Sequence, residues 1–337
     1  MTRRDFLTSG VAALAGPVVF DLGRVAAGGA PYAGRGVLVL DNCDPWQRGK
    51  EKGDNNLSCY DLAGRLVFRV SGLNVCEEIG SPHKIAVDVR ARRIWLTENV
   101  GHRLLQYDFA GKELLSLPDI QASALAVDPA TGHVWVLRSI GRIGGSSLEV
   151  YDRKGERQAA HPHHGWDISY DRTSRTFWLA AEELSKVDPD GKTLVQKRIT
   201  RWCSSSLAVD QRTGNVWVTT RNHPQAGGEN ALMAFDSDGV EVHNIDLGER
   251  SPFRVAVDSD NGMAWVAIFG GPVLRFTRKG DADGELDIKS LALEVEAYTG
   301  EVWVATKDEV LRLNHKGTVL RKAQHKRDTS QAWIASF

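Results

Sequence analysis

One short phrase recurs seven times along the chain: an aromatic or aliphatic residue, usually Asp, two variable residues, then Gly. It reads Tyr60-Asp61-Leu-Ala-Gly64, Tyr107-Asp108-Phe-Ala-Gly111, Tyr151-Asp152-Arg-Lys-Gly155, Val187-Asp188-Pro-Asp-Gly191 and Phe235-Asp236-Ser-Asp-Gly239. Two looser copies follow, Phe276-Thr277-Arg-Lys-Gly280 and Leu313-Asn314-His-Lys-Gly317. Asp and Asn hydrogen-bond to their own backbone two residues on, and Gly supplies the positive φ of a tight reversal. Each copy is therefore expected to be a hairpin turn. The copies stand 36 to 48 residues apart, the period of a propeller blade.

A second phrase interleaves with the first. Ile85-Ala-Val-Asp88 leads to Ile94-Trp95-Leu96, Leu125-Ala-Val-Asp128 to Val134-Trp135-Val136, and Ile168-Ser-Tyr-Asp171 to Phe177-Trp178-Leu179. Leu207-Ala-Val-Asp210 precedes Val216-Trp217-Val218, and Val255-Ala-Val-Asp258 precedes Ala264-Trp265-Val266. The sixth copy leads to Val302-Trp303-Val304 and admits two alignments. Without a gap, Glu294 falls where the others carry Ala, which implies a buried charge. A turn two residues longer sets Ser290-Leu-Ala-Leu-Glu294 against Ser206-Leu-Ala-Val-Asp210 and removes that charge. The longer turn is the expectation.

Each unit then supplies four strands: A (the Ala-Val-Asp strand), B (the Trp strand), and C and D on either side of the Asp-x-x-Gly turn. Strands A and B are apolar at consecutive positions, as in sheets buried on both faces, and this fits blades stacked around an axis. Six of the ten Trp residues occupy one position of strand B, which reads as core packing. Val37-Leu-Val-Leu40 reads as a strand B with no strand A before it, and Ala332-Trp-Ile-Ala335 as a strand A with no strand B after it. Pairing the two closes the ring and removes both exposed edges. The fold class expected is all-β, a seven-bladed β-propeller over 31–337, closed by the C-terminal strand.

Residues 1–30 read as a separate export segment. Arg3-Arg4 precedes Phe6-Leu7 and an apolar run to Phe20 that is too short to span a membrane stably. The pattern resembles a twin-arginine signal, which implies a periplasmic or secreted protein without membrane insertion after cleavage. About 305 residues then remain, ordinary for blades that add side by side. A net charge of −1 and the absence of a basic stripe argue against a nucleic-acid partner. In an oxidising compartment Cys43, Cys59, Cys76 and Cys203 are either free and buried or include a Cys43–Cys76 disulfide, since those two lie in loops on one face.

That face is where function is expected. The A–B and C–D turns are short and uniform, whereas the B–C loops at Asp41 to Asn56, Arg138 to Ser147 and Arg221 to Asn230 are long. Polar groups able to meet over the channel mouth on this side are His83, Glu98 and His164 as acid–base or cation-holding residues, and Arg138, Arg221, His223 and Arg250 as ligand-binding residues. A divalent cation is the cofactor such a set would hold, and its identity stays open. His161-Pro-His-His164 also offers imidazoles on one side of an extended segment.

Pro82-His83-Lys-Ile85-Ala-Val-Asp88 followed by Trp95-Leu-Thr-Glu98, with Pro252-Phe-Arg-Val255-Ala-Val-Asp258, resembles the repeats of the NHL and streptogramin-lyase-like (virginiamycin B lyase-like) propellers. The likeness spans Gly36 to Phe337 in repeat pattern only. It implies the propeller fold and a family that includes lyases, lactonases, redox enzymes and binding scaffolds. The acidic and amide ligands of the lactonases have no clear counterpart here. The reading that follows is a monomeric, exported scaffold binding a small molecule, polymer or protein at its loop-rich face. The alternative is a metal-dependent hydrolase or lyase with its site at the channel mouth.

Overall fold

A computed structural model describes residues 34–42, 55–73, 84–98, 102–138, 147–200, 204–222, 227–296, 299–325 and 331–337. These form seven four-stranded antiparallel sheets. In blades 2 to 7 the strands follow chain order, so blade 2 runs from Ile85–Asp88 at its inner edge to Glu113–Leu117 at its outer edge. Each strand A packs beside the next, and the last, Gln331–Ser336, packs beside Ile85–Asp88. The ring is therefore complete.

Blade 1 is the composite blade. Strand A, Gln331–Ser336, pairs antiparallel with strand B, Gly36–Asn42, from Val37↔Ser336 to Asn42↔Gln331. Strands C and D, Asn55–Asp61 and Leu66–Leu73, complete it. Three polar contacts reinforce this seam. Arg312 of blade 7 donates to the Leu62 carbonyl of blade 1 at 2.7 Å. His325, only 1% exposed, places Nε2 2.9 Å from Asp41 Oδ2. Its Nδ1 takes the hydroxyl hydrogen of the buried Tyr60, so the imidazole links blade 7 to two strands of blade 1.

The repeated turns have the geometry their residues dictate. Asp61 Oδ1 accepts from Ala63 N and Arg65 N at 2.9 Å, and Gly64 adopts φ 79°. The other six turn glycines have φ between 78° and 85°, a range closed to β-branched residues.

Between blades, each strand-B Trp fills a fixed slot. Trp135 of blade 3 stacks on Phe177 of blade 4 at 4.3 Å and joins one cluster with Ile168 and Leu179. Six such indoles are at most 3% exposed. Truncating one to Ala removes a core-sized volume and costs about 3–5 kcal/mol. A long polar side chain often lies opposite the Trp on strand C: Gln106 opposite Trp95, Lys186 opposite Trp178, Arg312 opposite Trp303. Each of these three donates to a turn carbonyl of the next blade, Arg153, Ser237 and Leu62 respectively. One position thus covers the indole and fastens the neighbouring blade.

The sixth repeat corrects the expected alignment. Glu294 lies opposite Trp303, as Ala86 lies opposite Trp95 and Ala208 opposite Trp217. Glu296, not Glu294, takes the place of the strand-ending Asp: its N–H donates to the Glu301 carbonyl, as that of Asp210 does to Asn215. The turn is not lengthened, and a carboxyl stands at the alanine level of strand A.

Candidate functional site

Strand A is the innermost strand of every blade, so its residues border the axis. Taking the register opposite strand B, one level of the ring holds Ala86, Ala126, Ser169, Ala208, Ala256, Glu294 and Ala335. Side chains two residues apart share a face of a strand. The next level toward the loop-rich face is therefore Lys84, Ala124, Asp167, Ser206, Arg254, Ala292 and Trp333. The first level is small except for Glu294. The second holds both signs of charge and an indole. The repeat is abandoned at the mouth of the channel and, at the alanine level, at Glu294.

Lys84 reaches past blade 3, whose residue at that level is Ala124, and pairs with Asp167 of blade 4. Its Nζ also donates to the Ile168 carbonyl at 2.9 Å. Asp167 is buried and further satisfied: Oδ1 accepts from Ile168 N at 2.8 Å, and Oδ2 from Leu207 N of blade 5 at 2.9 Å. Its two oxygens thus meet one ammonium and two backbone N–H donors. Arg254 of blade 6 repeats the device. It passes the Ala292 level of blade 7 and lays its guanidinium 3.5 Å from the ring centroid of Trp333 in blade 1.

Glu294 differs from both. It lies on the innermost strand of blade 7 and keeps partial exposure. Among the described residues it makes no hydrogen bond or ion pair. Burial pushes its carboxyl up to about 7, the Lys84 ammonium lowers it and the Asp167 carboxylate raises it further.

The candidates named from sequence occupy several places. His83 and His223 lie outside the described residues, as do Cys43, Cys76, Cys203, the export segment and most of the three long B–C loops. Cys59 is a free, buried thiol pushed up by burial and by the Asp61 carboxylate. Glu98, 0% exposed, accepts from Arg103 Nε at 2.5 Å across strands B and C of blade 2. Arg138 bridges Glu149, at 3.2 Å, and the Asp119 carbonyl, at 2.6 Å, within blade 3. Arg250 pairs with Glu285 at 3.2 Å, both well exposed. His164 is exposed on a shallow cleft of about 270 Å³ shared with His163, Glu183 and Gln196. The adjoining His163 donates Nε2–H to the Gly191 carbonyl, and His161 stacks on Trp135.

Arg221 is linked to the channel cluster through aromatic neighbours. Its Nε donates to Ser251 Oγ at 3.0 Å and its guanidinium faces Phe269, which is 58% exposed. Phe269 meets Phe253 edge-on, and Arg254 follows in the chain. Sequence reasoning missed Lys84, Asp167, Arg254, Trp333 and Glu294. The signal for Glu294 was the ungapped sixth repeat. For the others it was the residue two places before the small position of strand A. Among the described residues no three His, Cys, Asp or Glu side chains converge as metal ligands.

Searches against family models and against curated proteins gave no match. Among solved structures, the chain is similar to Kuenenia stuttgartiensis hydrazine synthase, with a TM-score of 0.58, 12% identity, and coverage of 73% of this chain and 80% of that one. It is also similar to BBS1N, crystallised in complex with ARL6DN, with a TM-score of 0.56, 14% identity, and coverage of 70% and 76% respectively. At such identities the likeness establishes the propeller fold alone.

Proposed function

We propose that the protein is an exported binding scaffold that takes its ligand at the channel mouth, on the face bearing the B–C and D–A loops. The observation carrying this reading is the second level of the inner ring, where Lys84, Asp167, Arg254 and Trp333 replace the small residues a repeat would otherwise place there. Polar and aromatic groups from four blades converge only near the axis, and such convergence marks a ligand site. Arg3-Arg4 with Phe6-Leu7 supports the export half of the proposal, to the periplasm or beyond it. The repeat pattern resembles the NHL and streptogramin-lyase-like propellers, whose members include binders as well as enzymes. The formal charge of −1 favours a small molecule, polymer or protein over nucleic acid.

The metal-dependent hydrolase or lyase reading has less support. Asp167, the inner-ring carboxylate richest in donors, already holds the Lys84 ammonium, a cation supplied by the chain itself. Thermal melting of the full chain with butyrate, inorganic phosphate, n-butylammonium and magnesium separates the two. The scaffold reading expects at least one organic or phosphate probe to raise the melting temperature, an anionic probe losing its effect in both Lys84→Met and Arg254→Met and n-butylammonium losing it in Glu294→Gln. Stabilisation by magnesium alone, unchanged in those variants, contradicts it and favours the enzyme.

A further inference from the structure

We infer that Glu294 is the residue that receives a singly charged organic cation, a primary ammonium group, inside the channel. This rests on the channel-mouth reading above and names the chemistry its ligand must carry.

The position is the first part of the case. Opposite Trp303, Glu294 stands in a register that holds Ala in five other blades and Ser in one. Nothing in packing asks for a carboxyl there, since Ala already fills the slot beside Trp in blades 2, 3, 5 and 6. A partly exposed carboxyl placed there has no donor from the protein, so only water or a ligand can meet it.

The charge balance is the second part. The two charged groups that act on Glu294 are Lys84 and Asp167, and these neutralise each other. Ionised Glu294 therefore stands without a cation of its own beside the neutral Lys84–Asp167 pair, while the Arg254 guanidinium lies on Trp333. Asp167 cannot share the burden, because its oxygens already serve Lys84, Ile168 N and Leu207 N. The group that pairs with Glu294 carries a single positive charge.

Ligand chemistry narrows this further. A hard divalent cation wants about six to eight oxygens, several of them carboxylate. The level around Glu294 provides one carboxylate and a ring of alanines. An ammonium wants three acceptors. Glu294 supplies the charged one, and the inner edges of the strands A, which pair only on their outer side with strand B, turn backbone carbonyls toward the axis. The alanines keep the other side chains at this level short.

The test is an NMR titration of the full chain with n-butylammonium chloride at pH 6 and pH 8, with butyrate and tetramethylammonium as controls. A carboxyl titrating near 7 makes binding about tenfold tighter at pH 8 than at pH 6. Glu294→Gln should lose that pH dependence and bind at least tenfold more weakly at pH 8. Glu294→Ala, which restores the residue of the other blades, should do the same while remaining folded. Tetramethylammonium, with no N–H to donate, should bind more weakly than the primary amine. Equal affinity in wild type and both variants, or affinity that does not change with pH, overturns the inference. A response to butyrate but not to n-butylammonium, lost in Lys84→Met, overturns it while leaving the channel-mouth reading standing. No response to any probe overturns both.

Discussion

Lys84 and Asp167 form an ion pair between blades 2 and 4, whose inner strands are separated by that of blade 3. The link is possible because Ala124 stands at the intervening level, leaving space for the lysine stem. Asp167 adds a hydrogen bond to Leu207 N, so one carboxylate ties three blades together at the axis. Removing one partner of a buried pair strands the other and costs about 3–5 kcal/mol.

Asp167→Ala should therefore lower unfolding stability by about 3 kcal/mol, the low end because Lys84 keeps some access to the channel. Asp167→Asn, which still accepts from Leu207 N, should cost less. Denaturant unfolding checks both, and a loss below about 0.5 kcal/mol for Asp167→Ala would assign the pair no structural weight.

The acidity of Glu294 links stability to pH. In the unfolded chain it ionises at its ordinary value of 4.5, and in the folded protein at about 7. Between those values the unfolded state gives up a proton that the folded state keeps. Stability therefore falls as pH rises from 4.5 to about 7 and is level above it. The full difference is on the order of 3 kcal/mol. Glu294→Gln should be more stable than wild type by up to that amount at pH 8 and equal to it at pH 4. Chemical denaturation at the two pH values measures this, and a gain independent of pH would locate the effect elsewhere.

The architecture was legible in the chain because it repeats. The Asp-x-x-Gly turns and the Ala/Trp hairpins encode strand order, and the unmatched strands at Val37 and Ala332 encode closure. The channel groups were harder to read for the opposite reason: they are departures from the repeat. Smoothing the sixth copy into line with the rest moved Glu294 out of the ring and Glu296 out of its turn. Lys84 and Asp167 are 83 residues apart, and nothing local in either segment announces that the two meet. Glu98 and Arg138 look like site residues in sequence, but each is joined to a partner on the adjacent strand, a pairing that needs strand register to be seen.

Closure should be essential. Deleting Gln331 to Phe337 unpairs the inner edge of Gly36–Asn42 and removes the Trp333 face on which Arg254 rests. Exposed edges of this kind recruit other chains. Light scattering and thermal melting of the truncated protein should show aggregation and a lower melting temperature. A monomer with unchanged melting contradicts the closed ring.

Export should depend on the paired arginines. Replacing Arg3 and Arg4 together with Lys should leave the protein in the cytoplasm, read by fractionation. Undiminished periplasmic accumulation of that variant would mean another route.

The most direct measurement of the channel site is a ¹³C NMR titration of the Glu294 side-chain carboxyl in the full chain, assigned by comparison with Glu294→Gln. The account predicts a midpoint near 7 without ligand and a lower midpoint once n-butylammonium is added. A midpoint at the ordinary value of 4.5, unmoved by the amine, would contradict it.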